Sequence, residues 1–328
     1  MKKRIAFLGA LAAATLALVG CSDSGAPSAE KAPSAETPGA SEMRDVRVAA
    51  LPISDSIAVW VGIDEGIFEK HGLNVEIQPA QGGAQAIPAL LSGDIQFAIG
   101  QPFGPFRAGL QDLGITVFSN FSSSQPSGDD VNGVVALGDS GITRPADLAG
   151  KKVAVNSLGA AGDLTIMAAV DADGGDAKSI EFVEVAFPDA AAQLEAGNID
   201  AAWVPDPFQK QIAAEGTLVM HPYQQVLPGL TVLTNFTTNE LIEKDPQLVK
   251  DYAAAMAEAL EFTNEHDDVT RAAISEHLKI PAEVAVGLTL PNYDAKLDID
   301  QIGELADLAV KYGVLDKRPD IDAIFTQY

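Results

Sequence analysis

Two short stretches of this chain repeat one another. "LLSGDIQFAI", Leu90 to Ile99, matches "LEAGNIDAAW", Leu194 to Trp203, at a constant offset. Leu90 falls on Leu194, Gly93 on Gly197, Asp94 on Asn198, Ile95 on Ile199 and Ala98 on Ala202. Each copy has the order of a helix end followed by a strand start. Leu closes the apolar face of a helix, and Gly then takes the left-handed conformation that stops it. Asp or Asn tolerates the turn, and a short apolar run enters a buried strand. Such junctions occur in any α/β protein, but here the surroundings match too: "GQPFG" follows the first copy and "VPDPF" the second. The repeat therefore predicts two α/β units of one design.

The sequence around the two copies alternates strand and helix signals. "VRVAAL" (Val46 to Leu51) reads as a buried strand. "SIAVWVGIDEGIFEKHG" reads as an amphipathic helix with Ile57, Trp60, Val61 and Phe68 on one face, stopped near Gly72. "LNVEIQPA" is the next strand, Gly82 and Gly83 open a helix to Leu91, and "QFAIG" and "ITVFSNFS" are further strands around a helix near Phe106 to Leu110. A βαβ series implies a mainly parallel sheet covered by helices. "NGVVAL" (Asn132 to Leu137) reads as a strand leaving this unit.

A second series follows. Its strands are Lys152 to Val155, "IEFVEV", "DAAWV" and "TLVM"; its helices are Gly162 to Ala172, Pro188 to Ala196 and Pro207 to Ala214. "LTVLTNFTT" (Leu230 to Thr238) should carry the chain back. The last third reads as helical, notably Pro246 to Thr263 and Ile299 to Tyr312, and is expected to pack on the first lobe. The expected division is 44–132 with 232–328 as one lobe and 133–231 as the other, inserted within it.

The N-terminus says where such a chain would work. Lys2, Lys3 and Arg4 precede an apolar run from Ile5 to Val19, too short for a comfortable membrane span. Residues 1–20 read as a secretory signal peptide. Its end, Leu18-Val19-Gly20-Cys21, resembles a bacterial lipobox, in which the Cys is lipidated. From Cys21 to Met43 the chain is rich in Ser, Ala, Pro, Gly and Glu and has little to bury, which suits a disordered tether. The expected location is extracytoplasmic, held at the cell membrane by an N-terminal lipid.

Cys21 is the only cysteine, so the mature domain is expected to have no intramolecular disulfide, thiolate nucleophile or Cys metal site. The formal net charge of −25 argues against nucleic acid, which needs a basic footprint. Nearly 290 residues beyond the tether exceed one comfortable core and suit two lobes.

At this point the residues resemble a known family. "GIFEKHGLNVEI", "GGAQAIPALLSGDIQFAIG", "DLAGKKVAV" and "QLEAGNIDAAWVPDPF", in this order behind a lipobox, look like the solute-binding lipoproteins of ABC importers. The nearest branch is the nitrate/sulfonate/taurine type, which includes binders of thiamine-pyrimidine precursors. The resemblance spans Val46 to about Thr263. It implies a type II periplasmic-binding-protein fold, with two α/β lobes, two crossover strands and a cleft between them. It also implies a small-molecule solute and an ABC permease and ATPase as partners.

Ligands of open parallel sheets lie beyond the carboxyl ends of the strands. That rule selects loops holding Ser54, Asp55 and Ser56; Gly82, Gly83 and Ala84; Gln101 and Pro102; Asn120; Asn156 and Ser157; and Asp206, with Asn235 on the returning crossover. One of Ser54, Asp55 or Ser56 is also expected to cap the first helix. Gly82-Gly83 reads either as a plain turn or as a helix start whose amides suit an anionic oxygen. Asp206-Pro207 is a helix-start signal, with Asp as cap. The resemblance adds that the family places an acidic binding residue in the matching "EPF"-like motif. Trp60, Phe103 and Trp203 are candidate aromatic contacts, although aromatics at such positions also serve the core. Arg107, one turn into a helix, is expected to face solvent.

No GxSxG, HExxH or P-loop pattern is present, and His71, His221, His266 and His277 are scattered outside the expected cleft loops. No catalytic residue, metal or cofactor is expected, and the protein reads as a monomeric binder rather than an enzyme. The expected solute is small, polar and organic, of aminosulfonate or sulfonate type. The alternative is a pyrimidine or other vitamin-precursor heterocycle. An alternative of another class is a surface scaffold or sensory partner that no longer feeds transport.

Overall fold

The computed structural model describes residues 43–80 and 82–328. Residues 1–42, which hold the expected signal peptide, Cys21 and most of the expected tether, lie outside the described residues. Among the described residues, eleven strands form two sheets. In chain order they are β1 (Arg44–Ala50), β2 (Leu73–Pro79), β3 (Phe97–Gly100), β4 (Ile115–Ser123), β5 (Asn132–Leu137), β6 (Lys152–Val155), β7 (Glu181–Glu184), β8 (Ala201–Pro205), β9 (Gly216–Met220), β10 (Thr231–Thr238) and β11 (Asn292–Tyr293). The first sheet has the order β11-β4-β10-β3-β1-β2, the second β7-β6-β8-β5-β9.

The repeated phrase occupies the same place in both. Gly93 and Gly197 are left-handed, with φ of 77° and 70°, and both end a helix. Leu90 and Leu194 before them are buried, as are Ile95 and Ile199 after them. The copies then enter β3 and β8. Ala98 pairs with Ala49 of β1, and Ala202 pairs with Ala154 of β6, both in parallel register. On its other side each repeated strand meets an antiparallel strand that has crossed from the other sheet: β10 beside β3, and β5 beside β8. Two α/β lobes exchange one strand each.

Elsewhere the structure differs from the sequence reading in its details. The first helix is broken into Ala58–Asp64 and Ile67–Lys70, because Gly66 adopts φ 64° between them. None of Ser54, Asp55 and Ser56 caps it. These residues form a 3-10 turn that runs straight into the helix, and Ser56 Oγ donates backwards to the Leu51 and Ile53 carbonyls. The helix Pro246–Glu265 packs on the first lobe, where its Tyr252 stacks on Phe97 of β3 at 3.9 Å between ring centroids. The helix Ile299–Lys311 instead reaches toward the second lobe, and Tyr312 just beyond it donates to Asp171 Oδ2 at 3.0 Å. Strand β11 is too short for any pattern to announce it. Among the described residues, no helix is long and apolar enough to cross a membrane.

Candidate functional site

A cleft enclosing about 800 Å³ of space, its mouth included, lies between the lobes. The first lobe supplies Leu51, Ile53 and Asp55 after β1, Gly82 to Gln85 at the start of the helix Gly83–Leu91, the end of β3 with Gln101, and Phe103, Gly104 and Arg107 from the helix Phe103–Leu110. The second lobe supplies Asn156, Ser157 and Ala160 after β6, Phe187, Trp203 of β8 and Tyr223. The crossover strands add Asn132, Val232 and Leu233.

Glycines set the floor. A Cβ on Gly100 would stand 2.8 Å from the Gly83 nitrogen, and one on Gly104 would stand 3.0 Å from the Ala84 Cα. Strand end, helix start and following helix are therefore pressed backbone against backbone, with the first amides of the helix Gly83–Leu91 at the cleft. The first amides of any helix lack intrahelical partners, which favours an acceptor or anionic group there.

The helix Ala161–Ala172 begins across the cleft, but its amides are already engaged. Asp163 accepts from the Gly159 and Ala160 N–H groups at 2.5 and 2.8 Å, and the Ala161 N–H donates to Gln101 Oε1 at 3.2 Å. Gln101 Nε2 also donates to Tyr223 Oη at 3.4 Å, so this one side chain ties the lobes together. Arg107 is a second tie. It lies half-buried on the cleft wall rather than in solvent, and its guanidinium donates to the Gly159 carbonyl. Burial lowers its pKa, opposed by the nearby Asp163 carboxylate. The missed signal was spacing: Arg107 is one helical turn beyond Phe103, on the face that lines the cleft.

Asp55 is the most unusual group. Its side chain is 1% exposed yet lines the cleft. Oδ2 receives only a long 3.5 Å contact from Asn132 Nδ2, and Oδ1 has no partner. Burial, and then the neighbouring Asp130 carboxylate, push its pKa up to about 7, with Asn132 acting in the opposite direction. Trp203 Nε1, a buried donor on the opposite wall, is also without a partner. The Trp203 ring meets Phe187 at 5.8 Å and Tyr223 at 5.9 Å, centroid to centroid. The cleft thus combines a bare acceptor, a bare donor and an aromatic wall.

Of the residues selected from sequence, the structure brings together Asp55, Gly82, Gly83, Ala84, Gln101, Phe103, Asn156, Ser157 and Trp203. The others do not line the cleft. Asp206 does not cap a helix, because Pro207 holds the position before the first helical residue, Phe208. Its buried Oδ2 accepts from the Thr289 N–H at 2.8 Å and pairs with Lys210 Nζ at 3.1 Å, turned toward a loop of the C-terminal third. Ser54 and Ser56 are buried in the 3-10 turn, and Pro102 precedes the helix Phe103–Leu110. Asn120 Nδ2 donates to the Asp294 carbonyl at 2.8 Å. Asn235 Nδ2 donates to Ser119 Oγ at 2.9 Å, deeper in the sheet than Val232 and Leu233 of the same strand. Trp60 packs near His277 at 6.2 Å. Asn132, Phe187 and Tyr223 were not singled out from sequence, since no local motif marks them.

Two lobes that exchange one strand each across a cleft define the periplasmic-binding-protein fold. Solved structures of that fold are similar throughout. The alkanesulfonate-binding protein SsuA of Xanthomonas axonopodis pv. citri, bound to MOPS, superposes with a TM-score of 0.73 at 15% identity, covering 88% of this chain and 100% of that one. The nitrate-binding protein NrtA of Synechocystis PCC 6803 gives 0.72 at 15% identity, covering 87% and 86%. By sequence, a Brucella abortus (strain 2308) protein whose name marks it as a candidate binding protein is 23% identical over 248 residues, 70% of this chain and 75% of that one. The NMT1/THI5-like family model matches residues 53–269, more than half of the chain. The chain belongs to the NMT1/THI5-like family.

Proposed function

We propose that this protein is the solute-binding component of an ABC importer, exported by residues 1–20 and held outside the membrane by a lipid on Cys21. The lobes are residues 44–132 with 232–328 and residues 133–231, and they close on a small polar organic solute. The observation that carries this reading is the cleft, built by residues from both lobes and lined by partnerless polar atoms where they meet. An aminosulfonate or sulfonate suits the helix start at Gly83 and Ala84. A second reading, a vitamin-precursor heterocycle, is favoured by the aromatic wall of Phe187, Trp203 and Tyr223.

The test is a thermal-shift screen of the detergent-solubilised full chain against sulfonates, amino acids, pyrimidines and vitamins. A true solute at a hundredfold excess over its Kd adds about 2.7 kcal/mol to stability. Small-angle scattering with that solute should then give a smaller radius of gyration, as lobe closure requires. A panel in which no compound shifts the melting transition would overturn the reading and favour a surface scaffold.

A further inference from the structure

When ionised, Asp55 on the cleft wall has no cation of the described residues beside it. Among the described residues, the basic side chains nearby are committed elsewhere. Lys210 Nζ pairs with Asp206 and donates to Thr289 Oγ1 and the Gly287 carbonyl. Arg107 donates to the Gly159 carbonyl, and His221 Nδ1 faces the Asn132 carbonyl at 3.0 Å. The ionisable groups that bear on Asp55 are instead acids: Asp130 and Asp206, with the un-ionised phenols of Tyr223 and Tyr293 close by. A buried carboxylate in this position is costly unless something supplies its missing partner. Asp55 lines the cleft and its Oδ1 has no partner among the described residues, which leaves the solute to supply one.

We propose that the solute presents a positively charged N–H group, of ammonium or amidinium type, to Oδ1 of Asp55, and that the cleft selects such solutes over those that are anions only. This rests on the solute-binding reading above. The aromatic rings of Trp203 and Tyr223 in the same cleft suit a cation, whose charge their faces attract. The solute's acceptor end is served by the helix start at Gly83 and Ala84 and by the Trp203 Nε1 donor. Asp206, although acidic and close, pairs through Oδ2 with Lys210 and does not line the cleft.

Matched pairs test the proposal by calorimetry on the full chain in detergent at pH 8. Taurine against ethanesulfonate differs by an ammonium on an aliphatic body; benzamidine against benzamide differs by a charge on a flat one. The expected result is at least tenfold tighter binding of the cationic member in one pair, which also says whether the body is aliphatic or planar. Asp55→Asn should abolish that preference, and urea unfolding checks that the variant is folded. Equal binding within both pairs, a preference that survives Asp55→Asn, or a tight screening hit without a cationic nitrogen overturns the proposal and leaves the solute-binding reading intact. Binding by no compound at all overturns both.

Discussion

Titrating the ligand-free protein from pH 5 to pH 8 should destabilise it, and replacing Asp55 by Asn should remove a definable part of that loss. The carboxyl group is buried beside Asp130, and its pKa stands at about 7 against an ordinary 3.8. Over the interval between those values the folded protein keeps a proton that the unfolded chain has released. Stability then falls as pH rises, fully present below about pH 4 and lost through about pH 7. Integrated between pH 5 and pH 8, the loss from this one group is about 2–3 kcal/mol. Asp130 and Asp163 are shifted in the same direction by burial, so the wild-type curve holds their contributions too. The difference between wild type and Asp55→Asn isolates the one carboxyl. Asn keeps the shape of the neutral acid, so the two proteins should be nearly equal only below about pH 4, and the variant should gain steadily over wild type from pH 5 to pH 8. Urea unfolding at each pH unit measures this. Parallel stability curves for the two proteins would refute the reasoning, since they would mean that Asp55 is already solvated or paired when folded.

Other perturbations give separate tests. Gly100→Ala places a methyl group 2.8 Å from the Gly83 nitrogen and should cost about 1–3 kcal/mol, read as a lower urea midpoint, with weaker solute binding. Lys210→Met removes the ammonium that joins Asp206 to Gly287 and Thr289. It should weaken all solutes by a similar factor in calorimetry without changing their order, because it acts on closure and not on contact. Of the two tryptophans only Trp203 lines the cleft, so a solute-induced emission change should vanish in Trp203→Phe and persist in Trp60→Phe. Cys21→Ser should abolish incorporation of radiolabelled fatty acid.

The fold was legible because its signals are local and repeated. Gly93 and Gly197 need left-handed backbone whatever surrounds them, and the buried Leu and Ile around each fix where helix and strand meet. The site was legible as far as the strand-end rule reaches, which is to Asp55, Gly83, Gln101, Asn156 and Trp203. It failed where direction depends on distant chain. Asp-Pro is a sound local cap signal, yet the Asp206 carboxylate turns to an amide 83 residues later at Thr289. The place of Arg107 one turn into a helix suggested solvent, yet it lies on the cleft wall and donates to a carbonyl of the other lobe. Asn132 reaches the cleft only because the lobes exchange strands, a fact that no short window of sequence contains.

That exchange also governs the order in which the molecule can be completed. Strand β10 lies between β3 and β4, so the first sheet remains split down its middle until Thr231–Thr238 has been made. An N-terminal fragment ending anywhere before Thr231 has no continuous first sheet, and the second lobe must emerge before the first can be finished. Such non-local pairing is slow to form, because the chain entropy of closing the intervening segment comes before any of the contacts that repay it. For the export proposed above, this delay would be useful. Early folding would jam passage, and here the topology itself keeps the leading half of the chain unfinished while the trailing half is still being synthesised.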